Sequence, residues 1–339
     1  MRYSTAGAGW GGGLAAGEFC LLIRPITDAP RRLEDLLPAE LAARLDRLDV
    51  LSRKVFAGKL PGERRSKRRG QSVEFDDYRQ YAPGDDLRHV DWNVFARLDR
   101  LFIKIFREDE DLLVHLVLDD SASMQGGSGE GVSAKSLYAR RLAMALGYIG
   151  LVNQNRVVVE RFGGVGPRRL APIRGRRQLD RLAAFLLEGE AAGGEAESFG
   201  DAMRRIASGR RGHGVVVVIS DFLFREGVER GLNFLHAGSA GGADACCVQV
   251  LSPGELDPSV ELEQGLRGDV RLTDIETGLP AEITVSKALL DRYRARLGEH
   301  IAMLELLCRA RRMRHVLLST AVPVETVILD SLRRQRLVG

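Results

Sequence analysis

Two polar clusters in this sequence follow apolar, strand-like runs and carry side chains able to bind a cation. One run is followed by an Asp-x-Ser-x-Ser pattern that consists of Asp119, Ser121 and Ser123. A second, valine-rich run is followed by Asp221. Carboxylate and hydroxyl oxygens are hard ligands of the kind that octahedral Mg²⁺ binds. Because open α/β sheets bind ligands at the carboxyl ends of their strands, these four side chains predict a Mg²⁺ or Mn²⁺ site.

The elements that would position these residues alternate between strands and helices after residue 110. Continuous apolar runs, typical of strands buried on both faces, predict strands at Leu112–Leu118, Arg156–Phe162, Val215–Ile219, Ala243–Leu251 and His315–Ser319. Helical spacing predicts helices at Lys135–Val152, Gln178–Leu187, Gly200–Ala207, Val228–His236, Lys287–Arg312 and Glu325–Arg336. A hairpin is expected from Arg271–Ile275 and Glu282–Val285. The alternation predicts an α/β fold, an open doubly wound, mostly parallel sheet with helices on both faces.

The chain before residue 110 has a different composition. Residues 1–32 are rich in Gly and Ala, and we expect them to form a flexible extension. A helix ending before Gly58 is predicted by the spacing of Leu37, Leu41, Leu45, Leu48 and Leu51. It is followed by a basic loop, residues 53–69, which contains eight Lys or Arg and a single acidic residue, Glu63.

Overall charge and cysteine usage exclude several classes of protein. Lys and Arg number 50 against 46 Asp and Glu, and a net charge of +4 is too small for a whole-surface nucleic-acid binder. The four cysteines have no metal-binding spacing and indicate reduced core residues. With neither a signal-peptide core nor an apolar run of membrane-spanning length, we expect a cytoplasmic protein. The basic loop is a solvated loop or an anionic-partner patch formed by Arg64, Arg65, Lys67, Arg68 and Arg69.

Acidic and basic side chains alternate in the segment between residues 79 and 97. A carboxylate metal site around the Pro-Gly turn is one interpretation. We favour a buried or semi-buried ion-pair network that braces this segment against the sheet, with Trp92 as a packing anchor. The structural residues of this prediction are Arg79, Tyr81, Asp85, Asp86, Arg88, Asp91, Trp92 and Arg97.

Two other sites are disfavoured by the sequence. Residues 129–136 approach a phosphate-binding loop, but Ala134 replaces the required glycine and about ten residues separate the motif from Asp119. Ser121 lacks a nucleophile elbow, and His115 lies inside a predicted strand, where a hydrogen-bonded core histidine is the expected role. Nucleotide binding and serine-type catalysis are therefore not predicted.

The predicted metal ligands and the segment around residues 79–97 each resemble a known protein family. Asp119, Ser121, Ser123 and Asp221 resemble the metal-ion-dependent adhesion site of von Willebrand factor A domains. The signature segment resembles the bacterial family called domain of unknown function 58. The matching residues are Arg69-Gly70, Glu74-Phe75, residues 78–92, Ala96-Arg97 and Lys104. The resemblance implies a von Willebrand factor A-like fold and a partnership with MoxR-type AAA+ ATPases. At the position that usually holds a metal-binding Thr, this chain has Glu197 with Ser198 beside it, and the sequence leaves open which of the two is a ligand.

These observations predict three regions: a flexible extension (1–32), a helix, basic loop and signature segment packed on the sheet (33–110), and a von Willebrand factor A-like domain (111–339). The resemblance implies a non-enzymatic, Mg²⁺- or Mn²⁺-dependent protein-interaction domain that links a MoxR-type ATPase to client proteins. A metal-dependent hydrolase or phosphotransferase is the alternative, and an anionic-polymer binder using the basic loop is a second one.

Overall fold

Strands and helices alternate along most of the chain. The computed structural model of the protein describes residues 2–4, 30, 32–50, 74–83, 85–107, 112–125, 134–164, 166–189, 197–210, 214–224, 227–238, 243–259, 269–273, 280–284 and 286–339. The strands are β1 (Arg2–Ser4), β2 (Glu74–Gln80), β3 (Phe102–Arg107), β4 (Leu113–Asp119), β5 (Arg156–Phe162), β6 (Arg168–Arg174), β7 (Gly214–Ser220), β8 (Ala243–Leu251), β9 (Asp269–Thr273), β10 (Pro280–Thr284) and β11 (Arg314–Ser319). The helices are α1 (Leu33–Leu36), α2 (Ala39–Leu45), α3 (Trp92–Leu98), α4 (Ala134–Val152), α5 (Leu179–Leu187), α6 (Phe199–Gly209), α7 (Val228–Gly238), α8 (Pro253–Leu256), α9 (Lys287–Ala310) and α10 (Val324–Thr326).

Six strands form the main sheet in the order β11-β8-β7-β4-β5-β6. Every neighbouring pair is parallel except β5 and β6, which are antiparallel. The predicted open, mostly parallel α/β sheet is confirmed. Strand β6 was not predicted, because it lies at the edge and mixes buried with exposed residues instead of forming an apolar run.

Helices cover both faces of this sheet and bury two separate apolar cores. One core contains α4, α5 and the N-terminal helices, and the other contains α6, α7 and α9. Adjacent residues of a strand point to opposite faces, so Cys246 belongs to the first core and Cys247 to the second. The described cysteines Cys246, Cys247 and Cys308 are buried and form no disulfide.

Helix α4 is the most deeply buried helix of the first core. From Lys135 to Leu151 its residues are buried apart from Arg141. Such burial of a mostly apolar helix, with Lys135 and Arg140 also buried, is typical of a position inside a domain. Among the described residues, no helix combines the length and apolar character needed to cross a bilayer.

The N-terminal helices pack into the first core, and α2 is shorter than the predicted helix. The predicted helix through Leu37 is broken by Pro38 and runs only over Ala39–Leu45, with Leu41 and Leu45 buried. Pro38 removes a backbone donor, so the chain turns and restarts there. The chain terminus pairs with this region: Asp49 N donates to Gly339 O at 2.8 Å, and Gly339 N returns a hydrogen bond to Asp49 O at 2.9 Å.

Three further predictions are refined at the periphery. The expected hairpin is present as antiparallel β9 and β10, and β1 from the predicted flexible extension pairs with β9. Ser286 caps α9 by accepting from Leu289 N at 3.2 Å. The predicted last helix is instead the short α10 followed by a π-helical turn at Val327–Leu332, because Val327, Ile328 and Leu332 must all reach the first core.

Two glycines after β5 test how tightly the end of β4 is packed. Both have left-handed backbones, with φ of +80° at Gly163 and +76° at Gly166. A Cβ on Gly163 would lie 2.8 Å from Asp119 Oδ1 and 2.9 Å from Ser121 N, whereas one on Gly166 would meet nothing within 4 Å. Gly163→Ala should therefore lower the free energy of unfolding by about 2–4 kcal/mol, against about 1 kcal/mol for Gly166→Ala. Urea denaturation measures both, and equal losses would contradict the packing described here.

Candidate functional site

The ends of β4 and β7 lie side by side and bring their polar residues into one cluster. Asp119, which ends β4, accepts hydrogen bonds from Ser121 N at 2.8 Å and from Ser220 Oγ at 2.6 Å. Ser121 Oγ lies 3.0 Å from Ser123 Oγ. We call Asp119, Ser121, Ser123, Ser220 and Asp221 the strand-tip site. Ser220, the last residue of a buried strand, was not among the predicted site residues.

Asp119 is buried and has an unusual acidity. Burial and the nearby charge of Asp221 together raise the pKa of Asp119 to about 7, against the opposite effect of the hydrogen bonds from Ser220 and Ser121. Its carboxyl group is therefore held by neutral donors and not by a cation.

The second carboxylate, Asp221, is paired with a lysine. Lys135, in the first turn of α4, donates from Nζ to Asp221 Oδ2 at 2.9 Å and to Glu255 Oε1 at 2.5 Å. Asp221 Oδ1 accepts from Leu223 N at 3.1 Å. The sequence analysis assigned no site role to Lys135 or Glu255. A lysine in an otherwise apolar helix was the available signal, since a buried ammonium needs a carboxylate partner.

The remaining predicted ligands, Glu197 and Ser198, are held elsewhere. Glu197 accepts two hydrogen bonds from Arg205, to Oε1 and Oε2, each at 3.0 Å. Ser198 caps α6 by accepting from Asp201 N and also donates to the Asp201 carboxylate at 2.8 Å. Neither forms a hydrogen bond with the strand-tip site among the described residues. That Glu197 or Ser198 completes a metal site stays a prediction; in this structure Arg205 binds Glu197, and Ser198 caps α6.

The strand-tip donors fit a divalent cation only in part. The 3.0 Å between the hydroxyls of Ser121 and Ser123 suits two adjacent ligands of octahedral Mg²⁺, which lie about 2.9 Å apart. The carboxylates do not fit, because Asp221 is neutralised by Lys135 and both oxygens of Asp119 accept hydrogen bonds. No group of three or more His, Cys, Asp or Glu suited to a metal occurs in the described part of the chain. The donor set as a whole does not match a resident divalent cation.

A second buried charged cluster lies further along the same sheet. His115 Nε2 is 3.1 Å from Glu160 Oε1, and Arg205 pairs with both Glu160 and Glu197. Burial lowers the pKa of His115. Burial acts to raise the pKa of Glu160, but His115 and Arg205 outweigh it and lower that pKa. The predicted role of His115 as a buried core residue agrees with this position.

The signature segment folds as a small unit, residues 74–107, which we call the hairpin–helix unit. Antiparallel β2 and β3 form its hairpin, with α3 between them in the chain. Asp91 is buried, caps α3 by accepting from Asn93 N and Val94 N, and accepts from Tyr78 Oη at 2.8 Å. Asp85 pairs with Arg79 at 2.7 Å. Tyr81 N donates to Leu101 O at 2.9 Å.

Two details of this unit differ from the predicted buried network. Asp86 pairs with Arg88 at 2.9 Å, but the Arg88 side chain is 88% exposed, so this pair is a surface one. Trp92, predicted as a packing anchor, is 59% exposed and makes an edge contact with Phe95. Arg97 is exposed as well. No residue of α3 is buried. The predicted anionic-partner residues Arg64, Arg65, Lys67, Arg68 and Arg69 lie outside the described residues.

Comparison with known families places this chain. The family described as "Protein of unknown function DUF58" matches residues 77–302. The chain belongs to this family. An uncharacterized protein of Mycobacterium tuberculosis and one of Mycobacterium bovis are each 28% identical over 270 residues, which is 79% of this chain and 81% of the relative.

Solved structures with similar parts are distant. An aerotolerance-related membrane protein from Bacteroides fragilis is 13% identical, covering 66% of this chain and 98% of that one with a TM-score of 0.39. The SpRpn10 VWA domain is 10% identical, covering 65% and 94% with a TM-score of 0.36. A von Willebrand factor type A protein from Catenulispora acidiphila is 14% identical, covering 44% and 35% with a TM-score of 0.31.

The buried Glu160 predicts a specific loss of stability in acid. Its pKa is lowered in the folded state, so its stabilisation is complete above the unfolded pKa of a glutamate and is lost as pH falls through the folded value. Glu160→Gln should cost about 2–4 kcal/mol at pH 7 and should reduce the fall in unfolding free energy between pH 7 and pH 4. Glu188→Gln, at an exposed glutamate that pairs with Arg168, should retain the wild-type pH profile. Parallel profiles for Glu160→Gln and wild type would contradict this assignment.

Proposed function

We propose that this family member is a non-enzymatic protein-interaction domain, and that the hairpin–helix unit carries its recognition surface. The observation that carries the proposal is the set of large apolar side chains that this small unit exposes. Trp92 and Leu98 are each 59% exposed, Leu87 is 53% exposed and Tyr78 is 40% exposed. Exposed aromatic and aliphatic side chains on one unit are typical of partner-binding surfaces, where Trp and Tyr contribute much of the binding energy.

The unit is held in a defined conformation, so its outward side chains are presented in fixed positions. Val90 and Ile103 are buried and pair across an antiparallel bridge. The Asp91 carboxylate joins the start of α3 to Tyr78 on β2, and Tyr78 also contacts Phe102 edge to face at 6.3 Å. A surface that is ordered before binding loses less conformational entropy when a partner docks.

The partner we propose is an AAA+ ATPase of the MoxR type, with client proteins bound in turn, and this partnership rests on the family resemblance of the signature segment. Mg²⁺ dependence of partner binding stays a prediction. The enzymatic alternative would need Asp85, Asp86, Asp119 and Asp221 to act on a substrate. Asp85 and Asp86 pair with arginines and Asp221 with a lysine, so these groups serve structural charge balance better than hydrolysis.

Binding to a purified MoxR-type ATPase tests the proposed surface. Trp92→Ala should weaken binding at least about 30-fold, because a central aromatic side chain is removed without opening a core. Leu306→Ala is the matched control: Leu306 is 66% exposed on α9, and its loss should leave affinity unchanged. Calorimetric titration measures both variants with Mg²⁺ and with EDTA, and thermal unfolding checks that they are folded.

Two outcomes are decisive for this surface. Weakened binding by Trp92→Ala with an unchanged Tm supports recognition by the hairpin–helix unit. Equal affinity of Trp92→Ala and wild type for the ATPase would refute it. Comparison of the Mg²⁺ and EDTA titrations decides separately whether the interaction requires a divalent cation.

A further inference from the structure

Lys135 occupies an unusual position for a lysine. Its side chain is only 3% exposed, and its ammonium group lies between two carboxylates from different parts of the chain. Asp221 follows β7, and Glu255 belongs to α8, which follows β8. The ammonium therefore joins the first turn of α4 to the ends of two neighbouring strands.

The three oxygen atoms of Asp221 all have partners within the chain. One carboxylate oxygen binds Lys135 and the other accepts from Leu223 N. Its main-chain oxygen accepts from Gln249 Nε2 at 3.0 Å. The side chain of Asp221 is fully buried, so water does not contribute to neutralising its charge.

We propose that the Lys135 ammonium is the resident cation of the strand-tip site, and that Asp221 consequently binds no divalent metal in the native protein. The site then keeps its shape without Mg²⁺ or Mn²⁺. This inference does not depend on the proposed recognition surface, which lies on a separate unit of the chain.

Electrostatics favours the tethered lysine over a metal from solution. A buried carboxylate that loses its cationic partner is strongly destabilising, and Asp221 is fully buried with the Lys135 ammonium as its cation. Lys135 supplies this cation without a separate binding step, because α4 carries the side chain to the site. A dication at Asp221 would lie close to the buried ammonium, and like charges repel strongly where the dielectric constant is low. The metal would have to displace Lys135 and leave it with Glu255 alone.

Glu255 makes the arrangement more specific. Its Oε2 accepts from Ser252 N at 2.8 Å and from Ser252 Oγ at 3.0 Å, which closes a capping box at the start of α8. Its Oε1 is then directed to Lys135. The glutamate is thus fixed by its own helix before it meets the ammonium, and the lysine is held from two sides.

A set of charge variants tests the role of Lys135. Lys135→Met removes the ammonium while keeping the length of the side chain, and it should lower Tm by about 5 °C or more in EDTA. Lys135→Met/Asp221→Asn removes the stranded charge of Asp221 as well and should recover at least half of that loss. Lys287→Met is the matched control at an exposed lysine and should behave as wild type.

The response to metal distinguishes the two possible cations. Mg²⁺ or Mn²⁺ should leave the Tm of wild type and of Lys287→Met unchanged. The same ions should raise the Tm of Lys135→Met, because Asp221 then lacks a cation, and should not raise that of the double variant. Stabilisation of wild type by Mg²⁺ to the same extent as Lys135→Met, or an unchanged Tm for Lys135→Met in EDTA, would overturn the proposal.

Wild-type protein provides a test that does not require the variants to fold. Calorimetric titration of wild type with Mg²⁺ and with Mn²⁺ should show no saturable binding at Asp221. Saturable binding to wild type that Asp221→Asn abolishes would overturn the proposal, even if Lys135→Met could not be purified.

Discussion

Two carboxylates buried at the ends of adjacent parallel strands are the constraint around which this part of the structure is arranged. Asp119 and Asp221 lie where the sheet topology places the ends of β4 and β7, and neither can be buried without donors. A backbone amide and the Ser220 hydroxyl serve Asp119, while Lys135 serves Asp221. This requirement explains why α4 begins with a buried lysine and why α8 directs Glu255 toward it.

The two faces of the main sheet bury different charged side chains. The face that packs on α4 and α5 is mostly apolar, with the buried Arg161–Asp120 pair next to the end of α5 as a charged contact. The opposite face carries His115 and Glu160 within the strands as well as Asp119 at a strand end. Arg205 from α6 enters this face to pair with Glu160. This ionic contact supplements apolar packing and attaches α6 to β5.

The hairpin–helix unit is built on a different principle from the sheet domain. Among its described side chains, Val90 and Ile103 are buried apolar residues and Asp91 is a buried connector. Such a unit can hold its own backbone in place while Trp92 points outward. The proposed recognition surface rests on the large apolar side chains that this unit exposes.

The sequence alone determined the fold class and the residues that lie near the strand tips. Apolar runs and helical spacing predicted the main strands and helices, often to within one or two residues, because burial on both faces leaves a strong local pattern. The same reasoning placed Asp119, Ser121 and Asp221 at one edge, since parallel strands end together. Edge strand β6 and the π-helical turn near Val327 left no such pattern and were missed.

Only the tertiary structure decided which charges pair. Lys135 and Asp221 are 86 residues apart, and Lys135 and Glu255 are 120 apart, so no local spacing could connect them. Glu197 stands where the resemblance expects a ligand, yet Arg205, from the helix that follows it, binds it. The exposure of Trp92 likewise depends on what the rest of the chain leaves uncovered. The sequence identifies charged and large apolar side chains that need a partner. Packing between distant segments determines which partner each of them contacts.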